Sequence, residues 1–171
     1  MRKETLDIII NAFNIASKDE TRPAICSVHI NEKDVVAIDG YAMAIQSHGD
    51  DFFKGKSILI HRDELAYLKI TQKGSYFRAD WTNEGLTING KLVEHKNGTF
   101  PAYKRFIPSF EPTITIGLDA EILLSLAKAL EHEKRNKKHV KHVKIEIKDN
   151  STAFKVTINN GSVGVLMPVR V

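Results

Sequence analysis

The sequence predicts an α+β fold with antiparallel sheets and with the helices on one face of the sheets. Its 171 residues, 42% hydrophobic and 27% charged, have the composition of an ordinary globular protein. One order of elements recurs three times along the chain: a short strand, a helix and three further strands. Alternation of apolar and polar residues, as in 143–147, is typical of a strand with one buried face. Three β-α-β-β-β repeats are therefore expected.

The helix of each repeat is expected to begin near an aspartate, because a carboxylate accepts hydrogen bonds from the free N–H groups of a first helical turn. Asp7, Asp63 and Asp119 follow one another at intervals of 56 residues. Apolar residues follow each of them at helical spacing. These are Ile9, Ile10, Phe13 and Ala16, then Leu65 and Leu68, then Ile122, Leu123, Leu126 and Leu130.

The strands are predicted from runs rich in β-branched residues. Segments 57–60 and 113–116 are the expected leading strands of the second and third repeats, and the first repeat has no clear leading strand. Turns are expected at 83–85 and at the Asn-Asn-Gly of 159–161. The other predicted strands are 24–30, 35–38, 42–45, 75–80, 86–88, 91–95, 143–147, 153–158 and 163–167.

Several classes of protein are disfavoured. A single cysteine, Cys26, allows no internal disulfide, and we expect it to be a buried, inert thiol. No run approaches the ~20 apolar residues of a membrane span, and the first residues do not have the pattern of a secretory signal. We therefore expect a cytoplasmic protein without a membrane partner.

Positive charge is concentrated near the C-terminus. Residues 128–171 contain ten Lys or Arg and four Asp or Glu, which gives +6, whereas the whole chain carries +4. Such a patch attracts polyanions. The alternative is a solvated helix end followed by a loop.

Catalysis has little support in the sequence. His132, His139 and His142 lie close together, but neighbouring lysines would repel a cation. His61 and Asp63 are accompanied by no nucleophile and no glycine-rich phosphate loop. We expect no enzyme activity, no metal and no cofactor.

Three stretches together resemble a known family. They are Thr-Arg-Pro-Ala-Ile at 21–25 leading to 37–44, the segment 98–108, and the segment 165–171. In this order they are similar to the bacterial β sliding clamp, the processivity subunit of the replicative DNA polymerase. Residues 1–110 resemble its middle domain, with two repeats, and residues 111–171 resemble the C-terminal half of its last domain. The resemblance covers nearly all of this chain and about half of a clamp.

The resemblance implies a pocket for short linear peptides of partner proteins such as the DNA polymerase. Soft methionine surfaces, an apolar floor and arginine donors suit such a pocket. Ile38 and Ala42 depart from the family pattern, and the same stretches also have simpler interpretations as turns and strand ends. The implied peptide-binding residues are Ile25, Gly40, Tyr41, Met43, Pro101, Arg105, Val165, Leu166, Met167, Pro168, Val169 and Arg170.

The resemblance also implies sequence-independent contacts with duplex DNA and self-association. Four copies would supply the twelve repeats of a clamp ring. One alternative is an adaptor or decoy that binds clamp-interacting peptides without forming a ring, and another is a basic DNA-binding regulator. The candidate DNA-binding residues are Lys18, Arg22, Lys128, Lys134, Arg135, Lys137, Lys138 and Lys141.

Overall fold

A computed structural model describes residues 1–74, 76–94, 98–130, 143–158 and 162–170. The chain divides into two compact units, named here unit 1 (Met1–Ile107) and unit 2 (Pro108–Val171). Unit 1 contains the first two repeats and unit 2 contains the third.

The first repeat of unit 1 consists of one helix and a three-stranded meander. Helix α1 (Lys3–Ala12) precedes β1 (Ser27–Ile30), β2 (Asp34–Ile38) and β3 (Met43–Ser47). Strand β4 (Ile58–His61) belongs to the second repeat, yet it pairs antiparallel with β1. The resulting sheet has the order β3-β2-β1-β4. The leading strand of the second repeat thus completes the sheet of the first repeat.

The second repeat continues from β4 through a 3₁₀ helix, Arg62–Glu64, into α2 (Leu65–Lys73). Strands β5 (Ala79–Thr82), β6 (Gly85–Ile88) and β7 (Lys91–Leu92) then form an antiparallel sheet in the order β5-β6-β7. Two further 3₁₀ helices of unit 1 span Asp51–Phe53 and Tyr103–Phe106.

Unit 2 contains one helix and one sheet. Helix α3 (Ala120–Ala129) is followed by β8 (Val143–Glu146), β9 (Phe154–Ile158) and β10 (Val163–Leu166), and the sheet has the order β10-β9-β8. Asp119 caps α3 as predicted, because its Oδ1 accepts hydrogen bonds from the N–H groups of Glu121 and Ile122, each at 2.9 Å.

The main core of unit 1 lies between its helices and sheets. Helix α1 buries Leu6, Ile9 and Ile10, and Phe13 directly after the helix is buried with them, because the i, i+3, i+4, i+7 spacing places all four on one face. Strand β2 is buried on both faces, which explains its continuous apolar run. Its main-core side carries Val35 and Ala37, and its opposite side carries Val36 and Ile38.

Arg62 fastens the second repeat to the end of α1. Its guanidinium donates hydrogen bonds to the carbonyl oxygens of Phe13 at 3.0 Å, Ser17 at 3.1 Å and Ala16. A cation is favourable beside the carbonyl groups at a helix C-terminus. The two helices are also joined directly, because Gln72 Nε2 donates to Asp7 Oδ1 at 2.6 Å.

The predicted fold class is confirmed, but some local predictions are wrong. Helix α1 begins at Lys3, so Asp7 lies inside it, and Asp63 lies in the 3₁₀ helix before α2. Segment 113–116 forms no strand, and a single bridge joins Gly117 to Val169 nearby. The segment has the predicted residue types, but the described part of unit 2 gives it no neighbouring strand.

Other predicted elements shift at their ends. The strand expected at 75–80 is β5, displaced towards the C-terminus, and the one expected at 24–30 shortens to β1 because residues 23–26 form a turn. The turn predicted at 159–161 lies outside the described residues.

No described helix is long and apolar enough to cross a membrane. The described residues also contain no cluster of three potential metal ligands, and residues 131–142, with the three histidines, are not among them.

His29 should make the stability of unit 1 depend on pH. Burial lowers the pKa of this histidine, whose Nδ1 has no hydrogen-bond partner among the described residues. The unfolded chain therefore takes up a proton more readily, so stability is greatest above the usual histidine pKa of about 6.5 and declines as the pH falls below it. Urea midpoints measured from about pH 7.5 to 5.5 should fall less steeply in His29→Gln than in the natural chain. Equal slopes would contradict this expectation.

Candidate functional site

Unit 1 carries an apolar surface groove with a volume of about 380 Å³. This volume is in the range of small ligand pockets. Three of its residues, Ile25, Gly40 and Pro101, are among those that the clamp resemblance implies. The full lining is Arg22, Pro23, Ala24, Ile25, Ile38, Gly40, Gly98, Pro101 and Phe106.

The floor of the groove rests on a second, smaller core. Ile25 and Ile38 are buried there beside Val36 and Tyr103. The hydroxyl of Tyr103 donates to Asp34 Oδ2 at 3.2 Å, which holds the ring in place under the floor. Burial raises the pKa of Tyr103, so the ring stays neutral. The side of β2 that faces away from the helices therefore supports the groove.

A tight turn after β2 shapes one wall of the groove. Asp39 Oδ1 accepts hydrogen bonds from the N–H groups of Tyr41 and Ala42, each at 2.7 Å. These bonds lower the pKa of Asp39 and keep it ionised. Gly40 has a φ of +99°, a conformation that glycine adopts without strain. The Asp39-Gly40 pair is thus a structural turn that also lines the groove.

Arg22 is the charged residue of the groove lining. Its Nε donates to Asp19 Oδ2 at 2.8 Å, and its Nη1 lies 3.2 Å from where a Cβ on Gly40 would be. Because one edge of the guanidinium is bound to Asp19, the side chain is oriented and keeps further N–H donors. These donors can bind a carbonyl or a carboxylate at the rim of the groove.

The remaining implied residues of unit 1 lie beside the groove. Tyr41 is 98% exposed at the turn, and Met43 is half-buried against the small core. Arg105 is exposed in the 3₁₀ helix that also carries Phe106. Sequence reasoning missed Pro23, Ala24, Gly98 and Phe106 as lining residues, although all four lie within or beside the motifs that carried the resemblance.

The implied peptide-binding residues at 165–170 belong to unit 2. Val165, Met167 and Val169 are exposed large apolar side chains, and Arg170 is also exposed. Leu166 is buried within unit 2, and Pro168 is half-buried.

The structure describes only some of the candidate DNA-binding residues. Lys18 is exposed after α1, and Lys128 is exposed in the last turn of α3. Arg22 belongs to the groove and pairs with Asp19. Lys134, Arg135, Lys137, Lys138 and Lys141 lie outside the described residues.

A second cavity of about 580 Å³ is lined in part by Gly98 and Phe100. Its lining is more polar and includes His29, Ser57 and Trp81. His29 Nε2 lies 3.0 Å from Ser57 Oγ, and the imidazole stacks on Phe100 with ring centroids 4.9 Å apart. These contacts give His29 a packing role, and no residue that the resemblance implies for peptide binding lines this cavity.

Comparison with solved structures finds the same fold in bacterial sliding clamps. The β subunit of DNA polymerase from Streptococcus pyogenes superimposes with a TM-score of 0.72 at 18% identity, covering 99% of this chain and 49% of that chain. The β sliding clamp of C. crescentus superimposes with a TM-score of 0.70 at 17% identity, covering 95% of this chain and 48% of that chain. The DNA polymerase III subunit β of Borrelia burgdorferi, solved in complex with a natural product, superimposes with a TM-score of 0.68 at 16% identity. The match covers 99% of this chain and 46% of that chain.

The chain spans about half the length of these solved structures. No family model and no curated protein matches the sequence. At such low identity the likeness concerns the fold. Over nearly its whole length, the chain has the fold of half a bacterial DNA polymerase III β sliding clamp.

Proposed function

We propose that this chain is a sliding-clamp-like accessory factor in DNA replication that binds linear peptides of partner proteins and has no catalytic activity. The observation that carries the proposal is the apolar groove of unit 1, which combines an apolar floor with one oriented arginine. A groove of this kind suits an extended peptide that inserts an apolar side chain and presents a carbonyl or carboxylate to Arg22.

The departures from the family pattern change the expected peptide preference. Ile38 contributes apolar surface to the groove, and Ala42 gives no charged group at the turn. Arg22 is then the cation of the groove lining, so affinity should depend on apolar side chains and on one anchor at Arg22. A peptide with an apolar residue next to an acidic or C-terminal carboxylate should bind better than its amidated counterpart.

We propose further that copies of the chain assemble and encircle duplex DNA. Support comes from the fold, which this chain shares with solved bacterial sliding clamps. Retention on DNA tests this directly, because a ring remains on closed circular DNA and slides off linear DNA. Dissociation from both forms would favour the alternative, an adaptor or decoy that binds peptides without encircling DNA.

A basic DNA-binding role is the second candidate function, and the charge of +6 over residues 128–171 favours it. We expect the combined replacement of Lys134, Arg135, Lys137 and Lys138 by Ala to flatten the salt dependence of DNA binding. The slope of log K against log salt is negative, and its magnitude should fall by about 0.9 for each DNA phosphate that the variant no longer neutralises.

The charge-matched control for this experiment replaces four exposed lysines of unit 1 by Ala and should retain the natural slope. An unchanged slope in the basic-segment variant would remove the segment as the DNA site. The control residues are Lys33, Lys54, Lys56 and Lys104.

A further inference from the structure

We propose that two copies of this chain join through unit 2, and that each copy adds its segment 113–116 as an extra strand to β8 of the other. The joined pair would form one complete two-repeat domain from two half-domains. The dimer itself does not depend on the proposed function. Its use as a building block of a ring does rest on that function. Two copies together hold six repeats, which is half of the twelve in a clamp ring.

Unit 1 shows how two repeats complete each other. The leading strand β4 leaves its own repeat and pairs with β1 over four consecutive residue pairs, from Ser27 with His61 to Ile30 with Ile58. As a result Val28 and Ile60 are fully buried. Pairing between repeats therefore covers both the leading strand and the first strand after the helix.

Within the described residues of unit 2, the corresponding parts are uncovered. Segment 113–116 precedes α3 as β4 precedes α2, and it alternates Thr and Ile, but it pairs with no strand among the described residues. Strand β8 occupies the position of β1 and lies at an edge of the sheet that the described residues form. Ile114 is 47% exposed and Val143 is 44% exposed, whereas all four residues of β4 and three of the four residues of β1 are buried.

Segment 113–116 is displaced from β8 of its own copy. The residue that follows it, Gly117, bridges to Val169, just beyond β10. Because the sheet order is β10-β9-β8, this bridge anchors the segment beside the sheet edge opposite β8. In a dimer, segment 113–116 of each copy can pair with β8 of the other copy. The two contacts are then equivalent, as a two-fold dimer requires.

Helix α3 carries the second half of the interface. Half-buried residues recur along α3 and at the position directly after it, with the same spacing as the buried residues along and directly after α1. They are Leu123, Leu126, Ala127 and Leu130, against Leu6, Ile9, Ile10 and Phe13. Leu126 packs against the sheet at Gly164, so this face of α3 is the inner one.

When the half-buried residues of α3 are aligned with the buried residues of α1, Leu124 takes the position that Asp7 occupies on α1. Asp7 lies on the flank of α1 that contacts the neighbouring helix, because it accepts a hydrogen bond from Gln72. Leu124 is 56% exposed, and no residue of α3 is fully buried. The flank that meets α2 in unit 1 is therefore apolar and uncovered in unit 2, as expected if α3 of a second copy packs there.

The test measures the mass of the full chain by light scattering and its backbone protection by hydrogen exchange. The natural chain should be at least dimeric at micromolar concentration, with slow exchange at 113–116 and 143–146. Thr115→Pro removes an N–H donor from an exposed segment, so it should halve the mass and accelerate exchange at 143–146. Ser109→Pro, placed just before the segment, should change neither.

A helix variant provides an independent check. Leu124→Glu should also halve the mass, and Ser125→Glu, an exposed neighbour on α3, should leave it unchanged. A monomeric natural chain, or an unaltered mass in both Thr115→Pro and Leu124→Glu, would overturn the proposal. Peptide binding to the groove of unit 1, measured on the same samples, tests the proposed function separately, since a monomer can retain it and a dimer can lack it.

Discussion

Ala24→Phe should weaken binding of a clamp-binding polymerase peptide to this chain by at least about tenfold, which corresponds to about 1.4 kcal/mol. Ala24 is half-buried in the groove lining, and its Cβ lies 3.7 Å from where a Cβ on Gly98 would be. A phenyl ring at this position would occupy the space that we assign to an apolar side chain of the peptide. The measurement is fluorescence anisotropy of the labelled peptide.

The matched control is Ala66→Phe, which adds the same ring at an exposed position of α2. It should leave the peptide affinity within about twofold of the natural value, since surface substitutions away from a site have small effects. If Ala24→Phe binds as tightly as Ala66→Phe, the peptide does not use this groove.

Phe13→Ala should lower the free energy of unfolding of unit 1 by about 3–5 kcal/mol. Phe13 is fully buried in the main core, and its removal leaves a cavity between α1 and the sheets. Trp81 is the only tryptophan of the chain and its indole N–H donates to the carbonyl of Phe52 in unit 1 at 2.9 Å. Its fluorescence during urea unfolding therefore reports on unit 1.

Tyr76→Ala is the control for this prediction, because Tyr76 is an aromatic residue of the same unit and is 79% exposed. It should shift stability by less than about 0.5 kcal/mol. An effect of Phe13→Ala below about 1 kcal/mol, with an unchanged urea slope, would show that α1 does not pack as described.

The repeat pattern and hydrophobic spacing were enough to predict the fold class. Each repeat shows a helix followed by three strands, and the alternation in β8 and the helical spacing in α3 depend only on local residue types. The start of α1 could not be placed this way, because Asp7 has a tertiary partner in Gln72 and is not a cap. Segment 113–116 shows the limit most clearly, since a strand needs a neighbour as well as β-branched residues.

Part of the candidate site was accessible from the motifs. Ile25, Gly40 and Pro101 were named from the resemblance and line the groove together. Phe106 and Ala24 were missed because their roles depend on how segment 98–106 folds back over β2, which no local pattern encodes. Arg22 was assigned to DNA because it is basic, and only its contact with Asp19 shows that it is held at the groove.

The central claim is that the groove of unit 1 binds a linear peptide, and NMR of the isotope-labelled full chain tests it most directly. Titration with the clamp-binding polymerase peptide should shift the backbone amides of Ala24, Gly40 and Tyr41, and the amide of Phe106, before those of other residues. Shifts centred on His29 and Trp81, at the second cavity, would contradict the claim. So would an unchanged spectrum at millimolar peptide.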